Sequence, residues 1–462
     1  MSILRKQASF CRGVTASLVF GSVGCALSTS TGPADTAGAS EEATGLHASP
    51  SRELDAKTRL YAPPPKSGAV EQGLELVRHR KYVDAARIAS MVTTPQAVWF
   101  NGGSPQEVKA NVKQTMAAAT RAHTVPVLVS YNIPFRDCSQ YSAGGARDTA
   151  EYAAWIDGFA AGIGKGKAVV ILEPDSLGLI PYNITTSGFA EPCKPTVQDT
   201  SGNDVPAPGA SPDERYAQLV YAIDKILERA PSAAVYIDGT HSRWLGVGEA
   251  AYRLYKAGFK DGVQRVQGFY LNVSNFELTD ELTQFGTWVS MCLAAGTPGL
   301  GPDWMRDATS GAPHFEWCPS QYDPATNYTQ VNYTPDYVAT VTAGIEDLMG
   351  GASAAVKFVL DTSRNGKGPW TPAADASYPD AQTWCNPPDR GLGNRPTVTT
   401  GNDLVAAYLW IKTPGDSDGQ CNRGISGSTT DPEWGGTTDP VAGGWFPGLA
   451  LDLATFATPP LF

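Results

Sequence analysis

The chain has 462 residues, and its 35 Lys and Arg against 46 Asp and Glu give a net charge of −11. Hydrophobic residues make up 42% and charged residues 18%, which excludes a disordered or fibrous protein. The acidic balance also argues against a nucleic-acid binder and against a surface drawn to anionic membranes, because phosphate groups would meet no basic patch.

Residues 1–27 are predicted to be a signal peptide. Arg5, Lys6 and Arg12 form a basic start, and the stretch from Gly13 to Leu27 is uncharged and mostly apolar. This stretch is shorter than the roughly 20 residues that cross a bilayer, so it indicates secretion rather than a membrane span. The simple expectation is cleavage near Ala26. The alternative is a lipid anchor on Cys25, because Val23-Gly24-Cys25 resembles a bacterial lipoprotein cleavage box.

Residues 28–57 are rich in Ser, Thr, Ala, Gly and acidic side chains, with few large apolar groups. Such a composition cannot offset the entropy lost on ordering, so a flexible linker is predicted. Residues 58–462 then form one large domain.

Six cysteines remain after residue 27, and an even number in an exported protein indicates disulfides. No CxxC pair is present, so a structural zinc site is not expected. Six cysteines allow fifteen pairings. We expect Cys138–Cys193, Cys292–Cys318 and Cys385–Cys421, because each pair would close one loop-rich stretch.

Seven short apolar runs have the composition of buried parallel strands. In chain order they are Ala97–Phe100, Pro126–Tyr131, Lys167–Leu172, Ala233–Ile237, Gly268–Leu271, Val356–Leu360 and Val405–Ile411. Helical patterns lie between several of them, at Ser104–Ala122, Thr149–Ile163 and Asp213–Arg229. Strands that alternate with helices predict an α/β domain with a parallel sheet, either open or closed into a barrel.

Polar side chains follow six of the seven runs, at the point where each strand would end. They are Arg136 and Asp137, Glu173 and Asp175, Asp238 and His241, Asn272 and Asn275, Asp361 and Arg364, and finally Lys412, Asp416 and Asp418. Ligands of parallel α/β folds bind at the carboxyl ends of the strands. One rim lined by ionisable groups is therefore predicted.

Several chemistries fit these residues poorly. The cysteines are expected to be paired, histidines number only five, and no GxSxG elbow or Walker phosphate loop is present. Asp416-x-Asp418 alone is a weak calcium signal, so no metal site is expected. Carboxylates with aromatic side chains remain, and glycoside hydrolysis requires that combination. Trp99, Trp244 and Trp384 lie next to strand ends and could stack on sugar rings.

Two motifs resemble the signatures of glycoside hydrolase family 6: Tyr131-Asn132-Ile133-Pro134-Phe135-Arg136-Asp137-Cys138 and Ile171-Leu172-Glu173-Pro174-Asp175-Ser176-Leu177. Further matches follow in the family's order at Asp238–His241, Asn272–Asn275, Asp361–Gly366, Trp384–Asn386 and Trp410–Gly419. The resemblance extends from about residue 58 to the end of the chain. It implies a distorted seven-stranded parallel β/α barrel, similar to a TIM barrel, with β-1,4-glucanase activity, inversion at the anomeric carbon and no cofactor.

The resemblance also implies roles for individual residues. Asp175 matches the general acid, Asp137 the neighbouring carboxylate that keeps it protonated and helps to order water, and Asp418 the proposed base. Positions that match sugar contacts are Trp99, Tyr131, Asp238, His241, Trp244, Asn272, Asn275, Arg364, Trp384, Lys412 and Asp416. Position 416 departs from the family, which usually has Glu there, so the side chain is one methylene shorter.

The sequence thus predicts a secreted endo-β-1,4-glucanase that acts on cellulose and related β-glucans as a monomer, without a nucleic-acid or obligatory protein partner. The alternatives are a processive cellobiohydrolase of the same family and a non-catalytic glucan-binding protein. Cellobiohydrolases of the family can carry a second Trp shortly after the one that matches Trp244. Val247 stands there in this chain, and this difference favours an open cleft.

Overall fold

The computed structural model describes residues 52–462, except for residues 139, 261–262 and 353–355. The predicted signal peptide, Cys25 and residues 28–51 of the predicted linker lie outside the described residues, so those predictions stay predictions. The described residues form one domain.

The strands of the described chain are β1 (Val98–Phe100), β2 (Val127–Ser130), β3 (Ala168–Leu172), β4 (Thr196–Gln198), β5 (Asp204–Pro206), β6 (Ala233–Asp238), β7 (Phe259–Lys260), β8 (Val263–Gln264), β9 (Gly268–Leu271), β10 (Lys357–Asp361) and β11 (Val405–Leu409). Seven of them form the central sheet in the order β1-β2-β3-β6-β9-β10-β11, and every neighbouring pair is parallel. These seven are the predicted strands, with ends within two residues of the predicted ones. The two short hairpins, β4–β5 and β7–β8, were not predicted.

The sheet curls so far that its two edge strands approach each other. The Ala97 N–H donates to the Trp410 carbonyl at 2.9 Å, and the Trp99 indole N–H donates to the Ile411 carbonyl at 2.7 Å. The β1–β11 seam is therefore held by isolated hydrogen bonds, whereas a continuous ladder joins the other neighbours. The architecture is the predicted distorted barrel of seven strands.

The helices are α1 (Ser67–Arg78), α2 (Tyr82–Val92), α3 (Pro105–Arg121), α4 (Thr149–Ile163), α5 (Pro212–Arg229), α6 (Val247–Gly258), α7 (Thr279–Gly296), α8 (Pro335–Met349) and α9 (Pro447–Thr455). Short 3-10 turns lie at Asp303–Met305, Phe315–Trp317, Pro324–Thr326 and Pro432–Trp434. The three predicted helices are α3, α4 and α5. At the start of α3, Ser104 and Glu107 form a reciprocal capping box with Pro105 as the first helical residue.

The alternation of side chains along each strand separates two layers of core. Leu128, Val170 and Val235 face outward and pack against the helices, whereas Val129, Ile171 and Ala234 fill the inside of the barrel. A third cluster joins α1, α2 and α9, through residues such as Ile88, Met91 and Leu453. Side chains therefore fill the interior of the barrel, and the loops extend from the carboxyl ends of its strands.

All three predicted disulfides are confirmed. Cys138–Cys193 joins the segments after β2 and β3, Cys292–Cys318 joins α7 to the segment that follows it, and Cys385–Cys421 joins the segments after β10 and β11. No helix among residues 52–462, as far as they are described, is long and apolar enough to cross a membrane.

Candidate active site

A cleft of about 840 Å³ lies at the carboxyl ends of the central strands. Most of the predicted site residues line it: Trp99, Tyr131, Asp137, Asp175, His241, Trp244, Asn275, Trp384, Lys412, Asp416 and Asp418. The structure therefore brings the three candidate catalytic carboxylates to one cavity, although they lie as much as 281 positions apart along the chain (418 − 137).

Asp175 and Asp137 form the centre of the cleft. Each has a positive φ, 64° and 45° respectively, so a sharp turn follows β3 and another follows β2. The Tyr131 hydroxyl donates to Asp137, and the charge of Asp137 acts on the nearby carboxyl group of Asp175. Two neighbouring buried carboxyl groups do not both ionise readily, because the charge of one disfavours the charge of the other.

The proton belongs on Asp175. Burial raises the pKa of Asp175 well above its usual value, and the carboxylates of Asp137 and Asp238 raise it further. Burial also raises the pKa of Asp137, but the Tyr131 hydroxyl and the charges of Arg136 and Lys412 counteract that rise. Asp175 can therefore donate a proton at a pH where a solvated Asp would be ionised.

Glu173 fixes the loop that carries Asp137. Its carboxyl is fully buried and accepts hydrogen bonds from the backbone N–H groups of Asn132 at 2.7 Å and Ile133 at 2.8 Å, and from the Tyr152 hydroxyl at 3.2 Å. The two predicted residues at the end of β3 therefore have different positions. Glu173 supports a neighbouring loop from below, and Asp175 faces the cleft.

Asp238 differs from its prediction as a sugar contact, because it lies beneath the cleft. Its carboxylate accepts from the backbone N–H groups of Leu177 at 3.0 Å, Gly178 at 3.2 Å and Thr240 at 2.9 Å. Burial raises the pKa of Asp238 to about 6. The residue holds the turn after Asp175 in place and contributes to the raised pKa of Asp175.

Asn272 and Arg364, also predicted as sugar contacts, lie behind the wall as well. Asn272 donates to the Asp361 carbonyl at 2.9 Å and accepts from the Glu277 N–H at 3.0 Å. Arg364 is 0% exposed and donates to Asp418 at 2.7 Å and to the Ser274 carbonyl. Both residues are buried and neither lines the cleft, so they shape the site from behind its wall.

Asp418 is held as a carboxylate by two cations. Arg364 approaches one oxygen at 2.7 Å together with the Asn386 N–H at 3.0 Å, and Lys412 approaches the other oxygen at 2.9 Å. Burial alone would raise the pKa of Asp418, but Arg364 and Lys412 outweigh it and lower the pKa below the usual value. Asp418 is therefore ionised, whereas Asp175 in the same cleft favours its protonated form.

Aromatic side chains line the cleft on either side of these carboxyls. Trp99 meets Tyr131 edge to face with ring centroids 5.2 Å apart, Trp244 meets His241 at 5.6 Å, and Trp384 meets Tyr141 at 5.9 Å. Burial and the nearby Arg243 lower the pKa of His241 to about 3, so its ring is neutral. Its 3.6 Å approach to Glu277 is consequently not an ion pair.

Several residues of the cleft were not predicted, among them Lys66, Tyr141, Arg243, Glu277, Trp370 and the turn Val441–Gly443. Glu277 lies in the loop after β9, so the strand-end signal that indicated Asn272 and Asn275 could have found it. Nothing in the sequence indicates Lys66, which precedes α1 and reaches the site only through tertiary packing. Val247 was expected at the rim, but it is 0% exposed in the core at the start of α6 and says nothing about the width of the cleft.

The model of the family described as "Glycosyl hydrolases family 6" matches residues 55–457. The chain belongs to this family. Endoglucanase 1 of Streptomyces sp. (strain KSM-9) is 32% identical over 342 residues, covering 74% of this chain and 68% of the relative. Endoglucanase A of Cellulomonas fimi is 30% identical over 397 residues, covering 85% of this chain and 62% of the relative. The chain thus spans less than two thirds of the length of this second family 6 relative.

Among solved structures of the family, the endoglucanase Cel6 of Mycobacterium tuberculosis has a TM-score of 0.56 and 30% identity, covering 87% of this chain and 98% of that one. That structure holds methyl-cellobiosyl-4-deoxy-4-thio-β-D-cellobioside. The catalytic core of the cellobiohydrolase Cel6A of Chaetomium thermophilum has a TM-score of 0.55 but 22% identity, covering 87% and 98%, and supports the fold alone.

Proposed function

We propose that this protein is a cellulase, an endo-β-1,4-glucanase that hydrolyses internal bonds of cellulose and related β-glucans with inversion. The observation that carries the proposal is the pair of buried carboxyl groups of Asp137 and Asp175, which line one cleft together with Trp99, Trp244 and Trp384. Aromatic faces bind the apolar faces of sugar rings, and a protonated carboxyl beside them can cleave the bond between two rings.

In the proposed reaction, Asp175 donates its proton to the leaving glycosidic oxygen. Water attacks the anomeric carbon from the opposite face of the ring, which inverts its configuration. The charge of Asp137 raises the proton affinity of Asp175, and Asp137 with Tyr131 would order water nearby. Asp418 supplies a negative charge from the segment after β11 and receives the proton of the water, directly or through a second water.

Asp418 is a weak base because its pKa lies below the usual value. The role still suits it, since the proton is lost from water that has already become acidic in an oxocarbenium-like transition state. The neutral imidazole of His241 and the amide of Asn275 line the same cleft as Trp244 and would orient the glucan. Secretion and a monomeric state belong to the same proposal, and the three disulfides support export.

One observation favours the second candidate, a processive cellobiohydrolase. The Tyr141 hydroxyl donates to Asn422 at 3.0 Å and accepts from Gln382 at 3.1 Å, so the segment after β2 touches the segments after β10 and β11. Such a contact partly covers the cleft. The relatives described as cellobiohydrolases are, however, 26% identical, whereas those described as endoglucanases are 30–34% identical.

The test uses soluble carboxymethyl-cellulose, with viscosity and reducing ends followed together. An endoglucanase should lower the viscosity well before reducing ends accumulate, and NMR of the first product should show the α-anomer. Cellobiose as almost the only early product, with nearly constant viscosity, would establish the cellobiohydrolase instead. Absence of turnover on both soluble and insoluble cellulose would leave only a binding protein.

A further inference from the structure

Lys66 lies at one end of the cleft, in the segment just before α1. Its ammonium group donates to Asp416 and to the Gly443 carbonyl at 3.4 Å, and its side chain is 49% exposed. An ammonium group has three N–H donors. Within the described part of the chain Lys66 uses two of them, so the third is available to a ligand in the cleft.

Asp416 forms the other half of this pair. Its side chain is 9% exposed, and one carboxylate oxygen bonds to Lys66. The other oxygen is buried and has no hydrogen-bond partner of good geometry among the described residues. Burial raises the pKa of Asp416, and Lys66 is the first of the groups that counteract the rise, followed by Lys412 and the nearby Thr413 hydroxyl. The charge on Lys66 therefore helps to keep Asp416 ionised and able to accept a hydrogen bond.

The position of Lys66 is fixed by contacts between the two ends of the domain. The Trp445 indole N–H donates to Gln72 at 2.8 Å, and Gln72 donates to the Pro447 carbonyl at 2.9 Å. Gly68 permits the closest approach, since a Cβ there would lie 2.7 Å from the Trp445 side chain. Lys66 is thus attached to a packed helix, and its ammonium group is pre-organised against Asp416.

We propose that Lys66 is a substrate-positioning residue of this glucanase, which binds a sugar hydroxyl through the N–H donor that its bonds to Asp416 and Gly443 leave free. The inference rests on the proposed β-glucanase function. The two charged groups form one donor–acceptor pair facing the cleft, and such a pair matches the hydroxyls of a neutral glucan. It also compensates for the short reach of Asp416, because the ammonium group extends the polar surface beyond the buried carboxylate.

The experiment compares wild type, Lys66→Met, Lys66→Arg and the control Lys113→Met, which removes an exposed Lys from α3. The substrate is cellohexaose. Lys66→Met should raise KM by about tenfold or more, the usual worth of a hydrogen bond to a charged group, with kcat changed less than threefold. The ratio of KM between Lys66→Met and wild type should grow as the pH falls, because Asp416 then protonates more readily. Lys66→Arg should restore much of the binding, and Lys113→Met should behave as wild type.

The outcomes separate the two proposals. A wild type that cleaves no β-1,4-glucan would refute the proposed function. An active wild type with an unchanged KM in Lys66→Met would overturn the role of Lys66 alone. The role would be purely structural if Lys66→Met lowered the melting temperature and reduced kcat and kcat/KM equally at every pH, without rescue by Arg. Lys66 would then contribute only to the stability of the fold.

Discussion

The Asp137–Asp175 pair is a case in which two identical side chains acquire different proton affinities from their surroundings. Asp137 has a phenolic donor and two nearby cations, whereas Asp175 has two carboxylates among its neighbours. A like charge beside a carboxyl disfavours its ionisation, and an opposite charge favours it. The acid of the reaction is therefore defined by its environment in the fold, since both residues are Asp.

Replacing Asp175 by Ala removes the proposed proton donor. We expect kcat on cellulose to fall by about 10²-fold or more, the usual contribution of positioned proton transfer. A cellobioside with an acidic leaving group, such as dinitrophenolate, needs little protonation, so its hydrolysis should fall much less. Steady-state rates on the two substrates check this, and a loss of equal size on both would contradict the role of Asp175 as the acid.

At the scale of elements, the cleft is built by loops that follow strands distant in the sheet. In the barrel, β1 separates β2 from β11. The segment after β2 nevertheless passes the end of β1 and reaches the segments after β10 and β11. Tyr141 makes that crossing contact, and Gly419 permits it, because a Cβ at Gly419 would lie 2.4 Å from the Tyr141 Cβ. The segments carrying Asp137 and Asp418 are thus in direct contact.

The Tyr141→Phe variant would keep the ring next to Trp384 and remove the hydrogen bonds to Asn422 and Gln382. The contact across the β1–β11 seam should become weaker, so the middle of a glucan chain should enter the cleft more readily. We expect a larger loss of viscosity per reducing end on carboxymethyl-cellulose, with little change in kcat on cellotetraose. The variant Tyr378→Phe, which removes a hydroxyl bonded to Glu433, serves as the control. An unchanged loss of viscosity per reducing end would mean that the Tyr141 contact does not limit the access of glucan to the cleft.

The sequence was sufficient for the strands but not for the orientation of side chains beyond their ends. Apolar runs such as Ala168–Leu172 are buried on both faces, so every residue of the strand is apolar and the run can be recognised in the sequence. Asn272, by contrast, has a φ of 72°, and the turn directs its amide to the Asp361 carbonyl instead of the cleft. A motif shows that such a residue is near the site, whereas only tertiary structure shows which way it points.

For the molecule as a whole, buried acids with raised pKa values make stability depend on pH. Burial raises the pKa of Glu277 and of Asp439 to about 7, and that of Asp238 to about 6. In the unfolded chain these groups ionise near pH 4. Between these values the unfolded chain binds fewer protons than the folded one, so stability falls as the pH rises through this window.

We therefore expect the melting temperature to decrease from about pH 4 to pH 7 and to level off above that range. Calorimetry or circular dichroism at a series of pH values measures this. Asp439→Asn should flatten the decrease, because the buried carboxyl next to Asp431 can then no longer ionise. The matched exposed variant Asp403→Asn should leave the slope unchanged, and a melting temperature that rises across the window would contradict the assignment.

The contact between Lys66 and Asp416 also has a consequence for the order in which the molecule matures. The two residues are separated by 350 positions, and Asp418, its partner Arg364 and the Trp445 contact all belong to the last quarter of the chain. A ribosome produces the acid side of the cleft long before the segment that opposes it. A nascent chain that ends before Asp418 lacks this carboxylate, so we expect hydrolysis to begin only after the last quarter of the chain has been synthesised.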